Sequence, residues 1–336
     1  PTSSTPATMT ATLTDRAGRP VNYLRLSVID RCNLRCEYCM PAEGMTFATK
    51  AQLLSFDDII FTLQVATTLG VDKVRVTGGE PLLRPDLPEL IHRIRTETAV
   101  TDLSLTTNAL LLHKHAEQLR AAGLERINVS LDSLRPDRFA QVTRVGHLKD
   151  VWRGLDAAAA VGLEPVKVNT VILAGFNEDE VDDWLDRTVD QALQVRFLEL
   201  MPIGEGVKLS RLGRFANLTA IRTDLVARRG LVPDRPARGN GPARYWKLPG
   251  ARGNVGFITP LSDKYCSTCT RFRLTSTGEL RPCLAYDIDV NVREAIRARD
   301  AEGVAHGFRE AAGIKPDGHH WEVDQVTWTG MSRLGG

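Results

Sequence analysis

Six strand-like segments alternate with helix-like segments between residues 21 and 200, and this alternation constrains the fold more than any other feature. The predicted strands are residues 21–30, 74–77, 103–106, 126–130, 166–171 and 195–200. Strands that alternate with helices form parallel sheets. Because a complete TIM barrel has about eight such units, the sequence predicts an α/β fold with a partial (β/α)6 TIM-type barrel. Functional residues are then expected at the carboxyl ends of the strands.

The loop after the first strand carries three cysteines, Cys32, Cys36 and Cys39, in the sequence CNLRCEYC. Thiolates are soft ligands that suit iron–sulfur clusters and zinc. Three thiolates are one fewer than a [4Fe–4S] cube or a tetrahedral zinc uses. A cube bound here would leave one iron open to a non-protein ligand. A zinc knuckle or a loop of free thiols is the alternative interpretation.

A second set of three cysteines, Cys266, Cys269 and Cys283, follows near the C-terminus. No histidine lies between residues 266 and 283, so a zinc site here would need a distant fourth ligand. The alternative is a second [4Fe–4S] cluster whose open iron faces a substrate. Each set has three cysteines, an odd number, and the mid-sized chain shows no secretory signal. This pattern does not suit a disulfide framework. They predict a reducing, cytoplasmic location.

The chain after the sixth strand predicts a second, smaller unit. Residues 229–253 are rich in Gly, Pro and Arg and have weak periodicity, as an irregular linking region does. Strand patterns at 273–275 and 279–281 predict a short hairpin. The expected organisation is a disordered leader at 1–17, the barrel at 18–228, a C-terminal α+β domain with a second Fe–S cluster at 229–330, and a flexible Gly-Gly tail at 331–336.

Cationic residues recur on the predicted strands, where a packed core would have none. Pointing inward, they would form a positive cavity for a triphosphate; at strand edges, they would be surface charges. Arg271 and Arg273 directly follow Cys269 and share one face of a strand, where guanidinium groups fit phosphate oxygens. The pattern indicates an anionic, nitrogen-containing substrate such as a nucleotide. The other cations on predicted strands are Arg25, Lys73, Arg75 and Lys167.

Further patterns narrow the class of protein. Gly78-Gly79-Glu80-Pro81 ends the second strand, and its glycines allow a ligand close to the backbone, although a plain turn is the alternative. A net charge of +2 does not favour bulk binding to nucleic acid or a membrane. The sequence contains no run of about 18 apolar residues. It also contains no P-loop and no Ser-His-Asp or HExxH arrangement.

Together the motifs resemble the GTP 3′,8-cyclase family of radical S-adenosylmethionine (SAM) enzymes, which act in molybdenum cofactor biosynthesis. The resemblance covers about residues 18–336 and rests on CNLRCEYCMP, VRVTGGEPLLR, LTTNALLL, INVSLDSL, VKVNTVI, CSTCTRFRL with a later CL, and the terminal Gly-Gly. It implies two [4Fe–4S] clusters. SAM would chelate the open iron on Cys32, Cys36 and Cys39, and guanine would bind the cluster on Cys266, Cys269 and Cys283.

The resemblance also implies roles for individual residues. Those expected to contact SAM are Tyr38, Gly79, Ser130 and Met201. Those expected to contact GTP are Arg25, Lys73, Arg75, Thr106, Lys167, Arg271 and Arg273. The residues expected to serve catalysis are Arg271, Arg273, Gly335 and Gly336, the last two in a tail that enters the active-site pocket. From the sequence alone, simple fraying of the terminus is the alternative for this tail.

The implied reaction is a lyase reaction, the first step of molybdenum cofactor biosynthesis. A 5′-deoxyadenosyl radical takes the 3′ hydrogen of GTP, and the resulting C3′ radical attacks C8, giving (8S)-3′,8-cyclo-7,8-dihydroguanosine 5′-triphosphate after reduction. Expected partners are an external electron donor, the downstream cyclic pyranopterin monophosphate synthase and a second copy in a homodimer, with neither nucleic acid nor membrane. Two alternatives remain: another radical SAM enzyme with an auxiliary cluster, such as a peptide modifier, and a non-catalytic Fe–S or zinc redox sensor.

Overall fold

A computed structural model describes residues 12–235, 241–321 and 325–335 of the chain. The strands are β1 (Tyr23–Ser27), β2 (Lys73–Thr77), β3 (Asp102–Thr107), β4 (Arg126–Ser130), β5 (Lys167–Ile172), β6 (Gln194–Glu199), β7 (Val232–Asp234), β8 (Arg244–Lys247), β9 (Asn254–Ile258), β10 (Arg271–Leu274), β11 (Glu279–Arg281) and β12 (Val290–Asn291). The helices are α1 (Phe56–Thr68), α2 (Leu87–Glu97), α3 (Leu112–Ala121), α4 (Pro136–Thr143), α5 (Leu148–Ala160), α6 (Val181–Asp190), α7 (Gly206–Arg211), α8 (Leu218–Arg229), α9 (Arg293–Arg297), α10 (Ala301–Gly313) and α11 (Met331–Leu334).

The described strands form one sheet in the order β12-β11-β10-β1-β2-β3-β4-β5-β6-β9-β8-β7. Strands β1 to β6 pair in chain order, and every pairing among them is parallel. The helices that follow these strands return the chain to the start of the next one, as parallel pairing requires. The predicted α/β fold with six strand–helix units is therefore confirmed.

The two faces of the sheet have opposite character because side chains alternate along each strand. Leu24, Val74 and Ile127 are buried in the main hydrophobic core, to which the helices contribute residues such as Ile91. The helix ends are locally encoded. For example, the Ser55 hydroxyl and the Asp58 carboxylate each accept the other's backbone N–H, which caps α1. The opposite face of the sheet is polar and forms the inner cavity described below.

The C-terminal segment continues the sheet at both edges instead of forming a separate sheet. Strand β9 pairs in parallel with β6, and β10 pairs in parallel with β1. The hairpin predicted near residue 277 is confirmed as the antiparallel pair β10–β11. The irregular region predicted at 229–253 is wrong where β7 and β8 lie, because such short edge strands leave almost no periodicity. Residues 236–240 lie outside the described part of the chain.

The disordered leader predicted for residues 1–17 is wrong for residues 12–17. The Leu13 amide donates to Leu69 at 2.8 Å, and the Leu13 carbonyl accepts from Val21 at 2.8 Å. The Arg19 guanidinium pairs with the buried Asp15 carboxylate at 2.6 Å. The Ser, Thr and Ala bias that suggested disorder comes mainly from residues 1–11, which lie outside the described residues.

The helices that the structure describes are short, and the longest of them, α1, α5 and α10, have 13 residues each. Within the described ranges, none combines the length and apolar character that crossing a bilayer requires.

We predict that Phe257→Ala destabilises the junction between β6 and β9. Phe257 is 1% exposed, and its ring centroid lies 5.6 Å from those of both Phe197 and Trp246. Truncating a buried phenylalanine costs about 3–5 kcal/mol, which a urea titration measures. The control Leu212→Ala, at a side chain that is 74% exposed, should change the free energy of unfolding by less than about 0.5 kcal/mol. A loss at Phe257 as small as that of the control would contradict the prediction.

Candidate active site

The first cysteine loop lies at the carboxyl end of β1 and is fastened to the end of α4. The Arg35 and Glu37 amides donate to Thr143 and Val142 at 3.1 and 3.0 Å. Arg144 returns two hydrogen bonds, from its guanidinium to the carbonyls of Arg35 and Met40 at 2.8 and 2.9 Å. These backbone contacts give the loop a defined shape. Its three cysteines line one cavity at this end of the sheet, namely Cys32, Cys36 and Cys39.

The six cysteines are free, half-buried thiols. In the described residues, no three His, Cys, Asp or Glu side chains converge closely enough to hold one metal ion. A [4Fe–4S] cube bonds each of its cysteines through a different iron, so its ligands must surround a space. Cys32, Cys36 and Cys39 do so at the first cavity. Their positions therefore fit a cube with one open iron.

The residues predicted to contact SAM all line this same cavity: Tyr38, Gly79, Ser130 and Met201. Gly78 and Gly79 are also required for a structural reason, since a side chain at either position would clash with the backbone. A Cβ at Gly78 would lie 2.3 Å from the Ile29 carbonyl oxygen, and one at Gly79 would lie 2.2 Å from the Arg31 carbonyl oxygen. Glycine is thus required here for close packing against the cysteine loop, in addition to any approach of a ligand.

Glu80 connects this motif to the end of β3. Its carboxylate accepts hydrogen bonds from the Thr107 hydroxyl at 2.7 Å, the Asn108 amide at 2.7 Å and the Leu82 amide at 3.1 Å. The side chain is fully buried, and burial raises the pKa of Glu80 to about 7. The glutamate of the Gly-Gly-Glu-Pro motif therefore forms buried hydrogen bonds that fix the wall of the cavity.

Asp132 is a cavity residue that the motif analysis missed. Its carboxylate accepts from the Tyr38 hydroxyl at 2.7 Å and from the Val171 amide at 2.9 Å. Burial raises the pKa of Asp132 to about 6. It joins the cysteine loop to β5. Its place within INVSLDSL, just after β4, was the signal that could have identified it.

The interpretation of the strand cations as surface charges is wrong for Arg25, Lys167 and Arg273, which are buried, whereas Lys73 and Arg75 are half-buried. Arg273, Arg25 and Arg75 stand side by side across β10, β1 and β2. Arg25, Arg273 and Lys167 are at most 9% exposed. Lys73, Arg75 and Lys167 line one cavity together with Arg126 and Arg196, which sequence reasoning missed. Arg196 alternates with Val195 and Phe197, the same signal that identified the others.

Crowding of these cations changes their acidity. Burial, with the neighbouring charges of Arg196, Arg126 and Arg75, lowers the pKa of Lys167 to about 7. Burial and the charge of Arg271 lower the pKa of Arg273 to about 10. Both directions mean that the protein penalises the positive charge until an anion arrives. The cavity is therefore suited to a polyanion.

The second triad reaches the inner cavity from the opposite end of the sheet. Cys269 precedes β10, whereas Cys32 follows β1, the parallel neighbour of β10. Five residues of strand separate the two ends, which corresponds to about 17 Å. The expectation that functional residues lie at the carboxyl ends of the strands is therefore wrong for this triad. Its cavity is lined by Cys266, Cys269, Cys283, Arg271, Arg273 and Met201.

Met201 lines both cysteine cavities, and the tail contacts the first of them. Residues Met331 and Ser332 of α11 line the first cavity. The Gly335 carbonyl accepts hydrogen bonds from Arg25 at 2.8 Å and from Arg273 at 2.9 Å. The described part of the tail therefore contacts both the first cavity and the cations Arg25 and Arg273. Gly336 lies outside the described residues.

Asp287 fastens the chain immediately before this tail, another contact that no motif indicated. Its carboxylate accepts from the Trp328 amide at 2.8 Å, from the Thr329 hydroxyl at 2.6 Å and from Arg281 at 3.1 Å. Arg281 is 2% exposed and also pairs with Asp289 at 2.6 Å. The tail thus starts from a fixed point.

We predict that Asp287→Ala releases the tail. Hydrogen bonds to a charged group stabilise by about 1.5–3 kcal/mol, so trypsin should cleave after the exposed Arg333 at least about tenfold faster than in the parent protein. Intact-mass spectrometry measures the loss of residues 334–336. Asp289→Ala is the matched control, because Asp289 pairs with Arg281 and has no bond to residues 328–329 in the described structure. Equal cleavage rates in both variants would refute the anchoring role.

Comparison with known protein families agrees with this architecture. The model of the radical SAM superfamily matches residues 26–188, and that of Molybdenum Cofactor Synthesis C matches residues 193–321. A GTP 3′,8-cyclase of Petrotoga mobilis is 45% identical over 323 residues, covering 96% of this chain and 99% of the relative. One of Heliobacterium modesticaldum is 44% identical, covering 91% of this chain and 94% of the relative.

Solved structures share the fold at low identity. Streptococcus suis SuiB bound to its precursor peptide SuiA has a TM-score of 0.59 and 14% identity, covering 95% of this chain and 78% of that one. SuiB bound to S-adenosylmethionine has a TM-score of 0.51 and 17% identity, covering 86% of this chain and 67% of that one. These likenesses concern the fold alone. The sequence relatives match at 44–45% identity over more than nine-tenths of this chain, which establishes the family as well as the fold. The chain belongs to the GTP 3′,8-cyclase family of radical SAM enzymes.

Proposed function

We propose that this protein converts GTP to (8S)-3′,8-cyclo-7,8-dihydroguanosine 5′-triphosphate, the first step of molybdenum cofactor biosynthesis. The observation that carries the proposal is the meeting of two cysteine-lined cavities at Met201, beside a cavity of buried cations. Neither a redox sensor nor a peptide modifier accounts for so many buried cations, whereas a triphosphate substrate compensates their charge. Family membership supplies the reaction.

The first cavity holds the cofactors in this proposal. Cys32, Cys36 and Cys39 ligate one [4Fe–4S] cluster, and this cluster with SAM supplies one-electron radical chemistry when bound. The residues that bind and orient SAM are Tyr38, Gly79, Ser130 and Met201. Ser332, which is 2% exposed, helps to close this cavity and keep water from it.

The inner cavity holds GTP. Cys266, Cys269 and Cys283 ligate the second [4Fe–4S] cluster, which receives the guanine base. The triphosphate and ribose are held by Arg25, Lys73, Arg75, Thr106, Lys167, Arg271 and Arg273. Guanidinium groups suit this role because they bind phosphate oxygens in pairs. The catalytic set is Arg271, Arg273, Gly335 and Gly336; hydrogen bonds from Arg25 and Arg273 to Gly335 support this assignment for the first glycine.

The remaining partners follow from the same reaction. The chain needs an external electron donor, and its product passes to the downstream cyclic pyranopterin monophosphate synthase. The proposed working form is a homodimer in the cytoplasm. Free thiols at all six cysteines support a reducing compartment.

The decisive test uses protein reconstituted with iron and sulfide, SAM, dithionite and GTP deuterated at C3′. Deuterium in 5′-deoxyadenosine, measured by mass spectrometry, is the expected result, because the hydrogen is taken from GTP. Variants with Cys32, Cys36 and Cys39 changed to Ser should not cleave SAM. SAM cleavage without label transfer would remove GTP as the substrate. An intact, iron-loaded protein that never cleaves SAM would refute the enzymatic proposal as a whole.

GTP binding is expected to draw a proton onto Lys167. In the protein without GTP, the pKa of Lys167 is about 7, so this side chain is mostly neutral at pH 8.5. A bound triphosphate raises this pKa and favours the ammonium, giving an uptake of roughly one proton at pH 8.5 that vanishes towards pH 6. Calorimetry in buffers of different ionisation enthalpy measures it. Lys167→Gln should abolish the uptake, and Lys208→Gln, at a side chain 71% exposed, should keep it. Uptake that persists in Lys167→Gln would contradict this assignment.

A further inference from the structure

Lys315 is a buried cation beside the second cysteine triad, and no motif led to it. It follows α10 and is 4% exposed. Its Nζ donates to the carbonyls of Arg271 and Pro282 at 2.9 and 2.7 Å, and it lies 3.9 Å from the Cys269 Sγ. Arg271 closely follows Cys269, and Pro282 immediately precedes Cys283. One ammonium group therefore joins the two chain segments that carry these cysteines.

The charge of Lys315 is balanced by the triad itself. Its Nζ lies 3.9 Å from the Cys269 Sγ, an atom that is a thiolate when it ligates a cluster. The hydrogen-bond partners shown for it in the described part of the chain include no carboxylate. A buried ammonium without an opposite charge is strongly disfavoured, as any desolvated ion is. The sulfur ligands are therefore what makes this position tolerable for a lysine.

Arg19, another buried cation near this triad, has a different electrostatic situation. It pairs with Asp15 at 2.6 Å, so the pair is neutral. Its remaining N–H groups donate to the carbonyls of Cys266 and Asp317 at 2.8 Å and of Pro316 at 2.7 Å. Arg19 thus holds the backbone in place, whereas Lys315 adds net positive charge next to the sulfurs.

We propose that Lys315 is a positioning residue of the second cluster and its counter-charge, which raises the reduction potential of that cluster. A [4Fe–4S] core on three thiolates is an anion that gains one more negative charge on reduction. A nearby ammonium that donates towards a ligand sulfur stabilises the reduced state more than the oxidised one. The inference rests on the proposed function only in that this triad holds a cluster.

The test measures the midpoint potential of the second cluster by dithionite titration followed by EPR. The protein used is the full-length chain with the substitutions Cys32→Ser, Cys36→Ser and Cys39→Ser, so that only the second cluster contributes to the EPR signal. Lys315→Gln removes the charge and keeps an N–H group for the carbonyls; it should shift the potential to a more negative value. Lys315→Arg keeps the charge and should stay near the parent value. Lys264→Gln, an exposed lysine near Cys266, should shift it far less because water screens its charge.

Each outcome decides between the two proposals. A parent chain that binds no iron at this triad overturns the cluster assignment, and with it the proposed function. A loaded cluster with equal potentials in the parent and Lys315→Gln overturns the counter-charge proposal alone, as does an equal shift in Lys315→Arg and Lys315→Gln. If Lys315→Gln keeps its circular dichroism spectrum but holds no cluster, while Lys315→Arg holds one, the charge is required for assembly, which supports the proposal.

Discussion

Buried positive charge on the inner face of the sheet is the constraint on which the rest of this structure depends. Arg273, Arg25 and Arg75 stand at one level of three neighbouring strands, and of these Arg25 and Arg273 are buried while Arg75 is half-buried. Their mutual repulsion opposes folding, and the hydrophobic core between the sheet and its helices must outweigh it. An anionic ligand relieves that repulsion. The same charges that weaken the empty protein therefore prepare it to bind a polyanion.

The topology assigns the ends of this cavity different surroundings. Around the first triad the buried ionisable neighbours include carboxylic acids, Glu80 and Asp132. Around the second triad they are cations, Lys315 and Arg271. Negative surroundings lower the reduction potential of a cluster and positive surroundings raise it. A cluster at the first triad is therefore expected to have a lower potential than one at the second. Parallel pairing of β1 with β10 keeps them apart across the inner cavity, and Met201 contacts both cavities.

Local signals predicted the parts of the site that depend on residue type and spacing. Both cysteine triads, the Gly78-Gly79 turn and the strand cations were predicted because each has a periodic or spaced pattern in the chain. Asp287 and Lys315 were missed because each acts through partners far away in sequence, so no local pattern marks them. Asp132 lies within INVSLDSL, but its contact with Tyr38 is visible only in the fold. The leader was misjudged at residues 12–17 for the same reason, since Leu13 bonds to Leu69.

The sequence by itself determined the six strand–helix units, the two sets of ligating cysteines and the presence of cations on strands, because alternation and ligand spacing are short-range properties. Only the tertiary structure decided which way those cations point, that the C-terminal strands extend both edges of one sheet, and that Gly335 meets Arg25 and Arg273. These features come from pairings between residues that are about 60 to 310 positions apart in the sequence. Such pairings depend on how the whole sheet closes off its apolar face, which no local window of sequence contains.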